Sequence, residues 1–282
     1  PNKTGNETVL SGTISSVIEP GKEGEYQSNI NVSGENTYLV IDGDMSKYTG
    51  NYTQSDGATT EVTSNGIFFG GYSDITDGHF IFRDGAQLVE DVYISGDNVH
   101  LAFGDGSKDY KIEDGNKVYY YDSLGNRSEN AFILETVTLT DSLYTGSGDL
   151  TVGKLTFGKN GGFASDADYT LKNSSNPDKT TTIIMKDGSV AQDGSKLAME
   201  DNTVLNITAS YLEEDDKSTG KNGTFGMDIS GKGFINVYQD NATDAPKFTI
   251  ISDNSLFEGQ YHQLEGEITV CLLYTSDAAD DK

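Results

Sequence analysis

Short runs of about 4–7 β-forming residues, with a tendency to alternate apolar and polar and closed by Gly, Asp or Asn, dominate this chain. The clearest runs are NTYLVIDG (Asn36–Gly43), GHFIFRDG (Gly78–Gly85), DVYISGDNVHLAFG (Asp91–Gly104), TTIIMKDG (Thr181–Gly188) and NTVLNITA (Asn202–Ala209). A period of two sends successive side chains to opposite faces of an extended backbone, so each run predicts a strand with one apolar face. Spacing of three and four, the mark of an amphipathic helix, hardly occurs, and Gly or β-branched residues interrupt what little there is. The chain is therefore expected to be all-β.

Asp-Gly between strands is a strong hairpin signal, which would favour antiparallel pairing. The spacing of the turns argues otherwise. In MKDGSVAQDGSKLAMEDNTVLNI (Met185–Ile207), the dipeptides Asp187-Gly188, Asp193-Gly194 and Asp201-Asn202 begin only six and then eight residues apart. Hairpin arms that short are marginal. Short arcs separated by corners suit a parallel solenoid, where each arc pairs with the layers before and after it.

One phrase is written twice. YTGNYTQSDG (Tyr48–Gly57) and FEGQYHQLEG (Phe257–Gly266) match at an aromatic, a Gly, a Tyr, a Gln and a final Gly. Tyr48, Gly50, Tyr52 and Gln54 share one strand face, as do Phe257, Gly259, Tyr261 and Gln263, while Thr49, Asn51 and Thr53 point the other way. The aromatic sets are expected inside, with rings lying over the bare glycine backbone and the Gln bonding neighbours along the stack. SLYTGSGDLTV (Ser142–Val152) is a weaker third copy.

YTGNYTQSDGATTEVTSNGIFFGGYSDITDGHFIF (Tyr48–Phe82) resembles the passenger repeats of bacterial autotransporter proteins, and GDLTVGKLTFGKNGGF (Gly148–Phe163) and DGSKLAMEDNTVLNI (Asp193–Ile207) resemble ordinary rungs of such passengers. The resemblance implies a right-handed parallel β-solenoid, or β-helix, here of roughly ten to twelve layers. It also implies a place outside the cell, secreted or on the bacterial surface at the outer membrane, as a structural stalk or adhesive surface. The partner class is a host or cell-surface glycan or protein. Three excursions break the rhythm: Lys108–Asn130, Asn173–Lys179 and Leu212–Gly223. They are expected as solvated loops, the alternative being a binding face.

Charge narrows the partners. With 19 Lys+Arg against 45 Asp+Glu the net charge is −26, which repels nucleic acid and anionic lipid alike. No run of about 18 apolar residues is present, so no membrane insertion by a helix is expected. Hydrophobic residues make up 34%, enough for a thin core built in repeated increments.

Candidate chemistry is sparse. Gly148-x4-Gly153-Lys154 approaches a phosphate loop, but Leu155 stands where Ser or Thr would reach the metal. His79, His100 and His262 are scattered and suggest no zinc site. Asp42/Asp44, Asp105/Asp109, Asp166/Asp168 and Glu213–Asp216 are the nearest carboxylate groups, and none fits a calcium loop. No cofactor, metal or catalytic residue is assigned. Some β-helix folds degrade polysaccharide as lyases or glycosidases, the alternative reading here; that chemistry needs paired carboxylates and often a basic partner, and Arg83 and Arg127 are the only arginines. Tyr119–Tyr121 could stack on sugars, with edge or turn packing the better expectation.

The ends read differently from the middle. Pro1 opens the sequence without Met or a leader-like run, as in an interior fragment. CLLYTSDAADDK (Cys271–Lys282) brings the only cysteine and resembles the translation of a sequencing adapter. Residues 1–270 are thus expected as a single solenoid unit and residues 271–282 as a non-native tail.

Overall fold

The computed structural model describes residues 6–15, 28–104, 109–174, 180–186, 188–208, 223–238, 247–250, 254–263 and 267–270. Asp105, Glu213–Asp216, most of the second and third excursions and Cys271–Lys282 lie outside the described residues.

The described residues form strands and turns with no helix, and the strands fall where alternation predicts them: Thr37–Lys47, Ser73–Phe82, Val92–Phe103, Thr182–Met185 and Val204–Thr208. Pairing is overwhelmingly parallel and in register. Thr59–Val62 lies against both Tyr38–Ile41 and His79–Phe82, and the next strand continues the row with His79 opposite His100. Antiparallel pairing among the described residues is confined to the segment from Asp109 to Ile133.

In the second half the pattern becomes regular. One parallel ladder runs through Thr136–Thr140, Lys154–Phe157, Thr182–Met185, Val204–Thr208, Phe234–Tyr238 and Gln260–Gln263. A second holds Leu143–Tyr144, Gly162–Phe163 and Val190–Ala191. A third holds Ser147–Leu150, Asp168–Leu171, Lys196–Met199 and Asp228–Gly231. From Thr136 to Thr208 consecutive strands join the first, second and third ladders in turn, and the chain then returns to the first; beyond Thr208, Gly223–Phe225, Lys247–Ile250 and Glu267–Val270 pair in a separate parallel sheet. The inward faces of one such set meet: Phe157 contacts Phe163 at 4.7 Å between ring centroids, and Phe163 contacts Tyr169 at 5.5 Å, all three fully buried. Neighbouring sets meet too, as Tyr144 lies 5.9 Å from Phe157 between ring centroids.

Corners form at the turn dipeptides. Gly194 has φ +93° and Asn202 φ +61°, left-handed values that Gly and Asn adopt at the least steric cost.

The doubled phrase behaves differently at its two sites. Tyr48, Tyr52 and Gln54 are buried, and Thr49 and Thr53 are exposed, as the alternation predicts. A Cβ built on Gly50 would lie 2.7 Å from Tyr48 Cζ, and one on Gly259 would lie 2.6 Å from Phe257 Cζ, so in both copies the ring occupies the space that a side chain at the glycine would need. The expected burial fails at the second copy: Tyr261 is 42% exposed and Phe257 half-buried. Tyr52 is sandwiched, pairing with Ile30 on one side and Ser73 on the other, whereas Tyr261 pairs with Ile235 alone. Among the described residues no further strand covers it. The weaker third copy shares the burial of its tyrosine, Tyr144, but the atoms nearest a Cβ on Gly146 belong to Lys111 rather than to that ring.

The first excursion is a correction. Rather than a solvated loop, Asp109–Glu113 and Lys117–Tyr121 make a hairpin that packs on the core: Tyr110 stacks on Phe103 at 4.4 Å, and Tyr120 tilts against Phe82 at 5.5 Å. Tyr119 is buried beneath the Arg127 guanidinium, 4.2 Å from ring centroid to Cζ, and Lys111 Nζ sits 4.4 Å over Tyr121. The packing role expected of Tyr119–Tyr121 is what these rings perform.

Candidate functional site

Outward residues of the parallel ladder alternate with the core. In Ser73–Phe82 the fully buried Phe80 and Phe82 point inward, which turns His79, Ile81 and then Arg83 to the other face. In Val92–Phe103 the same alternation turns out His100 and Ala102. Register sets His79 opposite His100, and their rings stack at 4.8 Å with 25° between planes. Two of the three histidines that look scattered along the chain, His79 and His100, are therefore neighbours in space. A spacing of 21 residues, close to the 20 that separates the paired Thr59 and His79, is the signal that writing the sequence in rows of that length would have exposed.

The pair lies in a groove of about 350 Å³ that Arg83, Thr140, Asp141 and Lys159 also line. Burial lowers the basicity of both imidazoles; His79 is lowered further by His100, and His100 by Lys186. Arg83 Nε donates to Glu61 Oε1 at 2.9 Å, while Glu61 Oε2 accepts from the Tyr38 hydroxyl. Burial and that carboxylate hold the Tyr38 hydroxyl well above the usual phenol range. Asp141 Oδ1 accepts from Asn160 Nδ2 at 2.9 Å. The groove thus collects cationic and neutral donors in a strongly acidic chain and contains one carboxylate, Asp141. It can hydrogen-bond a small polar ligand. Acid/base cleavage of a glycosidic bond requires two carboxylates facing each other, and this groove brings together only one.

The other candidates remain apart. Arg127 pairs with Glu113 at 2.9 Å on the hairpin. Lys154, the lysine of the near phosphate-loop pattern, lies in a strand with its Nζ 2.9 Å from Asp97 Oδ1. His262 Nδ1 is 3.2 Å from Asn236 Oδ1. Asp42 accepts from Thr63 and Asn65, and Asp44 from the Ser46 amide; Asp166 and Asp168 are exposed. Among the described residues no group of three or more His, Cys, Asp or Glu is placed to hold a metal ion, and no helix is long and apolar enough to cross a membrane. Comparison of the chain with protein-family models, with curated proteins and with solved structures finds no match.

Proposed function

We propose that this chain is a right-handed parallel β-solenoid of roughly ten to twelve layers, part of an autotransporter-like passenger that is secreted or held at the bacterial surface and serves as a structural stalk or adhesive surface. The observation that supports this reading is the order of the ladders: consecutive strands join three parallel ladders in turn and return in register to the first. A stalk needs length at low core cost, and a stack in which each layer contacts only its neighbours provides that. The wording of Tyr48–Phe82, with its aromatic-glycine contacts, adds to the resemblance. No catalysis is assigned to the chain.

Two measurements test the two halves of the proposal. Small-angle scattering of the purified chain should give a radius of gyration well above the ~19 Å of a compact domain of this length; a value near that figure would refute the solenoid. Residues 1–270 placed between a secretion leader and a translocator barrel in a Gram-negative host should become sensitive to protease added outside intact cells. Folded chain retained in the periplasm would refute the passenger assignment.

A further inference from the structure

Large aromatic side chains are mostly buried in this molecule, yet Tyr72 is 54% and Tyr93 42% exposed. They are also adjacent, with ring centroids 5.5 Å apart and planes at 30°. Their positions are fixed from beneath. Tyr93 stands between the inward Val92 and Ile94, and Tyr72 follows Gly70-Gly71, where a Cβ on either glycine would lie 2.5 Å or less from a backbone oxygen of the preceding layer. The Tyr72 carbonyl accepts from the Tyr52 amide at 2.9 Å. The two rings thus stand beside a floor of bare backbone, at the edge of a groove of about 330 Å³ whose other walls are Glu90, Asp91 and Asn130.

We infer that Tyr72 and Tyr93, with Glu90, Asp91 and Asn130, form a binding site for a neutral oligosaccharide. The polar wall consists of acceptors. Asp91 Oδ1 takes the Ala131 amide at 2.9 Å, which orients the carboxylate. Asn130 uses Nδ2 on the Leu88 and Val89 carbonyls, which turns its oxygen into the remaining polar atom of the amide. A ligand for this wall must bring hydroxyl donors, and a ligand for the rings must bring an apolar C–H face to their negative quadrupole. A pyranose does both. Acidic sugars are disfavoured by the two carboxylates and the net charge of −26. An ammonium ion gains most when aromatic faces surround it, and rings in contact with each other leave no slot between them. Because the tyrosines come from neighbouring layers, they repeat in the direction of the stack, as the units of a linear glycan repeat.

This deepens the adhesive part of the proposed function, and its test is independent of cell location. Calorimetric titration of the purified chain at neutral pH with cellotetraose and with chitotetraose should give saturable binding of at least one. Tyr72→Ala should weaken it about tenfold, Tyr72→Ala/Tyr93→Ala should abolish it, and Glu90→Gln should weaken it even if the double variant folds poorly. Tyr261→Ala, an exposed tyrosine elsewhere, should leave it unchanged. No saturable binding of either sugar by the parent, binding of tetragalacturonate or choline as tight as that of the neutral sugars, or indifference to both the tyrosine and the Glu90 changes would each overturn the site. Failure here leaves the stalk reading standing, and failure of surface display leaves this site standing.

Discussion

Tyr52 and Gln54 show what one interior position does. The Tyr52 hydroxyl lies 2.8 Å from Gln54 Oε1 and 2.6 Å from Thr60 Oγ1, and Gln54 Nε2 reaches the Ala58, Asp77 and His79 carbonyls at 2.9–3.2 Å. One amide therefore ties its own layer to the next, in a place where an unpaired polar group would be costly. Tyr52→Ala should cost about 3–5 kcal/mol in urea unfolding, Tyr52→Phe about 1–3 kcal/mol, and Tyr261→Ala no more than about 1 kcal/mol. Equal losses at Tyr52 and Tyr261 would contradict the difference in burial. The histidine pair gives a pH signature. Both folded-state pKa values lie below the ordinary 6.5, so the unfolded chain takes up protons first. Stability should be full above that value and decline as pH falls below it. Thermal melts across about pH 7.5 to 5 should show a steeper decline for the parent than for His79→Asn/His100→Asn, and parallel curves would count against the assignment. Alternation made the inward face of Tyr48–Gln54 legible from sequence. It is silent on what lies above and below a residue, which is why the His79–His100 contact and the open side of Tyr261 were not.

Strand runs and their corners were legible element by element, because Asp-Gly and Asn-x turns carry a local conformational preference that tertiary packing has no reason to override. Asn202 offers a direct check. At φ +61°, Asn202→Gly should be neutral or slightly stabilising, whereas Asn202→Val should cost about 1–2 kcal/mol; a valine tolerated without loss in the same unfolding assay would deny the corner its left-handed geometry. The hairpin was harder to read. KVYYYD is a short run of β-formers like its parallel neighbours, and nothing in a strand's own wording states whether its partner runs with it or against it. What distinguishes it is the ring packing of Tyr110 on Phe103 and of Tyr120 on Phe82, the second a contact between residues far apart in sequence.

Across the whole molecule, the surplus of carboxylates acts along every ladder, since in-register stacking brings the same outward face of successive layers together. Scattered cations relieve it between layers: Arg83 meets Glu61, and Lys172 lies 2.9 Å from Glu200 and 4.0 Å from Asp149. Exposed pairs of this kind contribute little each, so repulsion should dominate. The melting temperature is expected to rise as salt increases from near zero to about 0.15 M, where charges beyond about 8 Å are screened. A fall would mean that the pairs outweigh the repulsion. Charge and all-β class were readable from composition and alternation, and turn spacing pointed to parallel pairing of short arcs, whereas the order of three ladders came only from the pairing itself.

That order also sets a timetable. Most strands pair with one roughly twenty to thirty residues earlier, as Lys154 does with Thr136 and Thr182 with Lys154, so the ends of each loop are near before anything downstream exists. A chain emerging a few residues at a time, from a ribosome or through a narrow pore, can lay each turn onto a finished template without waiting for its far end. The exception is the hairpin. Val92 must wait for Phe132, and His100 for Thr138, about ten residues beyond the longest usual interval. Growth of the stack should pause there, with Phe82 and Phe103 covered only by Tyr120 and Tyr110 of the hairpin until Phe132 arrives to complete the cluster.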